Sequence, residues 1–297
     1  MHHNTRRALQ RKIFAWYAHY GRHDLPWRQG DSTLYGVVVA EVMLQQTNVP
    51  KVVSKYQIFL QTFPSWQALA GVPQSAVMCA WRGLGYNRRA INLHRCAKII
   101  VDHYDGIVPN DPGQLRALPG IGPYTAHAIC AFGYNADCAA VDVNIARLLQ
   151  RWGMREPLQV AAEMLLPAGQ SHQWHSALMD FASMVCTKRA PQCITCPLRK
   201  ICPSYPLSHL DDAYNDNVVK VKREPGRMER GRYIPRRIYR GRIVEALRSQ
   251  PLDTKQIGQI IKSDWSVMRD RVWLEEILNS LDRDSFIIRN GGKWHIR

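Results

Sequence analysis

The 297-residue chain has no run of about 18 apolar residues, which excludes a membrane-spanning helix. Its first residues, Met1-His2-His3-Asn4-Thr5-Arg6-Arg7, lead into no apolar signal core. The expectation is therefore an intracellular protein of the cytoplasm or nucleoid, with no membrane partner. Internal repeats and low-complexity tracts are missing, and nothing signals oligomerisation, so a monomer is expected. Acidic residues are scarce: 24 Asp and Glu stand against 40 Lys and Arg, a formal net charge of +16. Such a surplus costs self-repulsion unless a polyanion uses it, and nucleic acid is the natural partner. Apolar residues make up 46% of the chain, enough to bury substantial cores.

What is present is most concentrated near residue 190. Cys186, Cys193, Cys196 and Cys202 read C-x6-C-x2-C-x5-C. Nothing suggests an oxidising compartment, which argues against a pair of disulfides. Four thiols this close fit a metal site, because thiolates must surround a metal from several directions. Spacing alone leaves zinc and an iron–sulfur cluster both open, since zinc sites usually pair two short Cys knuckles and only Cys193–Cys196 is one. The other cysteines, Cys79, Cys96, Cys130 and Cys138, lie in apolar helical contexts and read as small core residues.

From the N-terminus to about Pro203, apolar positions recur every three or four residues, so this part is mainly α. The pattern predicts helices over 7–20, 35–47, 49–63, 74–80, 87–104, 112–117, 124–132, 142–151 and 174–185. Residues 206–232 are polar and aperiodic and read as a linker. Ten Lys or Arg between Lys220 and Arg242, against Glu224 and Glu229, would suit phosphates. Residues 233–297 read as a small α+β unit of three helices and a hairpin about Asn290-Gly291-Gly292, the layout of a winged helix. Such a module can bind DNA or a protein.

Three further stretches carry chemistry. Leu118-Pro-Gly-Ile-Gly-Pro-Tyr-Thr-Ala126 places Gly120 and Gly122 in a tight turn between helices. The next helix then starts with free backbone N–H groups, suited to a DNA phosphate. In Val141-Asp-Val-Asn144, Asp142 opens a helix and reads either as an N-cap or as a carboxylate facing positive charge on a sugar. Glu41 sits inside the apolar helix Tyr35–Thr47, where a carboxylate is costly unless its pKa is raised for proton transfer. Gln45, Gln46 and Thr47 close that helix as a polar cluster able to touch bases or a phosphate.

Together these strings resemble the helix–hairpin–helix DNA glycosylases that bear an iron–sulfur cluster, and most of all the adenine DNA glycosylase (MutY) branch. The matching segments run from Leu-Pro-Trp-Arg28 through Glu-Val-Met-Leu-Gln-Gln-Thr47, Trp81-Arg-Gly-Leu-Gly-Tyr86, Arg89-Ala-x-Asn-Leu-His94, residues 118–126 and Asp142-x-Asn144 to Ala177-Leu-Met-Asp180 and the cysteines. The resemblance implies a two-lobed fold. A six-helix barrel would span 31–138, and a cluster lobe would combine 1–30 with 139–205, with the active site between them. It implies a [4Fe–4S] cluster on the four cysteines, with zinc as the alternative, and duplex DNA bearing a mismatch or lesion as substrate.

For site residues the resemblance implies Glu41 as the general acid, Asp142 as the stabiliser of an oxocarbenium-like sugar and Asn144 as an orienting group. Tyr124 occupies the position where bifunctional relatives such as endonuclease III have a Schiff-base lysine, which implies a monofunctional enzyme. Arg28, Gln45, Gln46, Thr47, Arg88, Gly120, Gly122, Thr125, Lys188 and Arg189 would contact DNA, and Tyr86 would enter the base stack. The implied activity is excision of adenine mispaired with guanine or 8-oxoguanine by base flipping. The alternatives are a thymine or uracil glycosylase for T:G and U:G mismatches and a non-catalytic DNA-binding regulator. Three departures stand out. Asn87 replaces a usual second tyrosine, Val143 replaces a usual glycine, and the segment after Pro206 does not resemble the Nudix-type domain that commonly reads 8-oxoguanine.

Overall fold

The computed structural model describes residues 3–30, 32–206 and 224–297, and these fold as two compact units. The first comprises residues 3–67 and 95–206, and the second residues 68–94 and 224–297.

The elements run in chain order as α1 (His3–Tyr20), a single 3₁₀ turn (Pro26–Arg28), α2 (Leu34–Leu44), α3 (Val49–Thr62), α4 (Trp66–Ala70), α5 (Gln74–Ala80) and α6 (Arg88–Tyr104). Next come α7 (Pro112–Arg116), α8 (Pro123–Gly133), α9 (Val143–Arg151), α10 (Leu158–Leu165) and α11 (Ser171–Met184). The predicted helices are all present. Two more, α4 and α10, are not among the predicted helices.

Within the first unit, α2 is apolar on every face and buried from Tyr35 to Met43, as a helix without a polar side must be. Thr33 caps it by accepting from the Gly36 N–H at 3.1 Å. It packs against α3 and α8. A second core joins Leu9, Ile13 and Tyr17 of α1 to Leu148 and Leu149 of α9, Leu165 of α10 and Trp174, Leu178 and Phe181 of α11. Cys186, Cys196 and Cys202 lie against that core.

In the second unit, β1 (Gly226–Glu229) and β2 (Arg232–Pro235) form an antiparallel hairpin, with Gly226 opposite Pro235. The expected linker is therefore folded at its C-terminal end. Arg227, Glu229 and Arg232 give these strands a charged rather than an apolar pattern, and residues 207–223 of the linker lie outside the described residues. Then follow α12 (Arg236–Leu247), α13 (Thr254–Ile261), α14 (Val267–Arg283) and the hairpin β3 (Ile287–Asn290) with β4 (Lys293–Ile296). An isolated bridge from Leu252 to Trp294 adds a third strand position to that hairpin. Asp253 and Gln256 form a reciprocal capping box at the start of α13. Of the four cysteines read as core, Cys96 and Cys130 are buried and Cys138 is half-buried. Cys79 is exposed, because its place on the short α5 faces outward.

Candidate active site and cysteine-lined cavity

The first unit holds a pocket of about 380 Å³. Its wall includes Arg28, Glu41, Gln45, Gln46, Thr47, Tyr124, Asp142 and Asn144. Eight of the residues expected at the site thus converge from four segments: the 3₁₀ turn, the C-terminal half of α2 with the turn that follows it, the start of α8 and the start of α9. Gln45, Gln46 and Thr47 lie in that turn rather than in the helix, which ends at Leu44.

Glu41 is 8% exposed. Burial pushes its pKa up to about 7, against the pull of the Arg28 guanidinium and with a further push from Asp142. The Tyr124 hydroxyl hydrogen-bonds to this carboxyl, and its own pKa is raised well above that of an ordinary tyrosine by burial and by the two carboxylates. A carboxyl that titrates near neutrality beside an open pocket can hold a proton and release it there.

Asp142 has extended backbone geometry and caps α9. Its Oδ1 accepts from the Asn144 and Ile145 N–H groups at 2.9 and 2.7 Å, and Oδ2 accepts from Asn144 Nδ2 at 2.7 Å. N-cap and pocket carboxylate are therefore the same residue, so the two readings of Asp142 are compatible. Asn144 Oδ1 accepts from Arg147 at 3.0 Å, and Arg147 donates onward to the Ala182 and Cys186 carbonyls. Val143 is exposed and leaves the cap intact.

Arg28, expected on DNA, is anchored from below. Its guanidinium donates to both oxygens of fully buried Asp180, which also accepts from the Arg22 backbone and side chain. Burial would raise the Asp180 pKa, but these donors outweigh it and hold it low. In the sequence Asp180 is only part of a matching string, and no local signal marks it as the clamp of two arginines 152 and 158 residues away. His175 escapes sequence reasoning in the same way. It is buried, its pKa is lowered to about 4 by burial, and its neutral ring joins Ser171 O to the Ala140 N–H just before Asp142.

Gln45 donates to Gly120 O at 3.3 Å and Thr125 Oγ1 at 3.2 Å, which ties the end of α2 to the glycine turn. Gln46 is exposed in a left-handed conformation, φ 56°. Gly120 has φ 81°, a conformation that favours glycine, while a side chain at Gly122 would meet nothing within 4 Å. Gly122 thus keeps the approach to the first N–H groups of α8 open. Tyr86 and Arg88 belong to the second unit. Tyr86 is 60% exposed at φ 44°. The Arg88 guanidinium is paired with Asp284 at 3.0 Å and stacked on Phe286 rather than free for a phosphate.

The four clustered cysteines are free thiols lining one cavity with Arg151, Phe181 and Leu198. Arg151 donates to Cys186 Sγ at 3.2 Å, and the Leu198 N–H points to Cys196 Sγ at 3.4 Å. Burial and the neighbouring thiols push Cys196 up to about 11 and raise Cys193 and Cys202, so these three sulfurs favour the neutral thiol unless a cationic group stands beside them. Among the described residues, no three His, Cys, Asp or Glu side chains converge to hold a single metal ion. Lys188, Arg189, Arg199 and Lys200 are exposed on this segment.

Residues 39–166 match the model of the HhH-GPD superfamily base excision DNA repair protein. The chain is 38% identical over 195 residues to an adenine DNA glycosylase of Mycolicibacterium smegmatis, covering 63% of this chain and 66% of that one. It is 36% identical over 209 residues to one of Buchnera aphidicola subsp. Baizongia pistaciae, covering 68% and 59%. The chain thus spans less than two thirds of the length of either relative. Among solved structures, a thermostable thymine-DNA glycosylase superposes with a TM-score of 0.63 at 27% identity, covering 68% of this chain and 97% of that one. The chain accordingly carries, over residues 39–166, a domain of the HhH-GPD superfamily, built in the fold of its glycosylases.

Proposed function

We propose that the protein is a monofunctional DNA glycosylase that removes adenine from mismatched or lesion-bearing duplex DNA. The observation that carries this reading is the pairing, in one pocket, of a buried carboxyl titrating near 7 with a second carboxylate fixed as a helix cap. Two carboxyl groups in unlike environments divide the roles of acid and stabiliser. Protonated Glu41 gives its proton to a ring nitrogen of the extruded adenine. The bond between the base nitrogen and the sugar breaks, and its electron pair leaves with the base. The positive charge left on the sugar faces Asp142, which Asn144 and the α9 N–H groups hold in place. Water adds to the sugar and loses a proton to a carboxylate, which leaves an abasic site.

Tyr124 donates to Glu41 and offers no amine, so no covalent imine with the sugar forms. Gln45, Gln46 and Thr47 would meet the target pair, and the Gly120–Gly122 turn would take a backbone phosphate. Lys188 and Arg189 would grip phosphates further along.

The residues around the cysteine cavity fit a [4Fe–4S] cluster, which when bound supplies structural cross-linking of the lobe. Four thiols wall one cavity, as the four-cysteine ligation of such a cluster needs, and the C-x6-C-x2-C-x5-C spacing has only one of the short knuckles that zinc sites usually pair. Arg151 and the Leu198 N–H are the donors such sulfurs would receive. Metal and acid-labile sulfide analysis of the purified protein tests this. Iron and sulfide in equal amounts support the cluster, and zinc without sulfide overturns it.

Single-turnover base release tests the activity on four labelled duplexes: adenine opposite 8-oxoguanine, adenine opposite guanine, thymine opposite guanine and uracil opposite guanine. Release of adenine, with strand breakage only after alkali, is the expected outcome. Release of thymine or uracil alone overturns the adenine reading.

A further inference from the structure

The C-terminal part of the second unit is built onto the loop that presents Tyr86. Inside that loop, Trp81 donates through its indole N–H to Gly85 O at 3.1 Å. Arg89 donates to the Leu84 and Gly85 carbonyls at 3.3 and 3.1 Å. These contacts shape the backbone, with Gly83 and Gly85 at φ 88° and 71° and Tyr86 at φ 44°. A non-glycine residue in that conformation is strained and must be held by its surroundings.

The outside of the loop is held by α12 and by the turn after α14. Arg248, at the end of α12, donates to Asn87 Oδ1 at 2.9 Å, and its side chain is 2% exposed. Glu245 joins Arg248 to Arg82, with the Arg82 pair at 3.0 Å. Asp284 pairs with Arg88 at 3.0 Å and with Arg240 at 2.6 Å, and both guanidinium groups lie over the ring of Phe286. Gln74 donates to Ser285 O at 2.7 Å. The two residues after Tyr86 are thus each tied to the C-terminal part, while the Tyr86 side chain stays exposed. Asn87, one of the departures noted above, is itself an acceptor in this clasp.

We propose that residues 224–297 hold the loop 81–88 so that Tyr86 is presented to DNA, with Arg248 and Asp284 as positioning residues. The inference rests on the reading of Tyr86 as a DNA contact. The clasp gives the C-terminal unit a part in engaging the lesion that requires no base contact of its own.

Two readouts on the full chain test it. In hydrogen exchange, Arg248→Ala should speed the amides of residues 84–88 at least tenfold while leaving those of α13 and α14 unchanged. Asn87→Ala, which removes the acceptor from the other side, should do the same and serves if Arg248→Ala disturbs the unit. In the second readout, 2-aminopurine beside the target base of a duplex reports unstacking by a rise in fluorescence. Wild type should give the rise, Tyr86→Ala should abolish it, Arg248→Ala should reduce it several-fold and Arg248→Lys should restore part of it. Glu275→Gln, on the exposed face of α14, should leave it at the wild-type level. Unchanged exchange in Arg248→Ala and Asn87→Ala would overturn the proposal. So would faster exchange with a wild-type fluorescence rise, or no rise in wild type. A rise without release of any base would leave the clasp standing and remove the glycosylase reading instead.

Discussion

At the scale of single residues, Glu41 is placed against its own stability. A carboxyl with a folded pKa near 7 and an ordinary value of 4.5 is neutral in both states below about pH 4, and its burial then costs nothing extra. As pH rises from about 4.5 to 7 the carboxyl ionises freely in the unfolded chain but not in the folded one, and stability falls across that window. Glu41→Gln should therefore be more stable than wild type at pH 8, by on the order of 3 kcal/mol, with the gap closing towards pH 4. Denaturant titrations at the two pH values measure this. The same variant should lose base release by at least ~10²-fold, which single-turnover rates measure. Stability gained with activity lost marks a functional carboxyl, and a merely structural one would show the reverse.

At the scale of elements, the site depends on how α9 and α11 are fixed. Asp180→Asn leaves the arginines at 22 and 28 poorly paired and should destabilise the protein by about 3–5 kcal/mol, measurable by urea unfolding. His175, with its pKa depressed to about 4, contributes stability that is whole above about pH 6.5 and lost as pH falls to 4. His175→Gln should flatten the stability profile across that window. The sequence carries the long helices plainly, because α3, α6 and α11 repeat their apolar positions over several turns and α2 is an almost unbroken apolar run. Glu41 is legible because a charge in so apolar a helix has few explanations, and Asp142 because it precedes an amphipathic helix. Asp180 and His175 are not legible, since their meaning lies in partners far along the chain or in a buried hydrogen bond. The β1–β2 hairpin is hidden by the basic character of residues 220–242.

At the scale of the whole molecule, the +16 charge should make duplex binding steeply salt-dependent. Lys188→Ala with Arg189→Ala should reduce the slope of log K against log salt by about 0.9 for each phosphate no longer neutralised, read by fluorescence anisotropy. An unchanged slope would remove these two residues from the interface. The second unit also has a consequence for biogenesis. Its ties include one between Gln74 and Ser285, separated by 211 positions. Residues 68–94 leave the ribosome long before the segment that clasps them has been translated. Early domains usually fold as they emerge, but this one must wait until the segment that carries Arg248, Asp284 and Ser285 has been made, and a chain truncated before it would display an unfinished face.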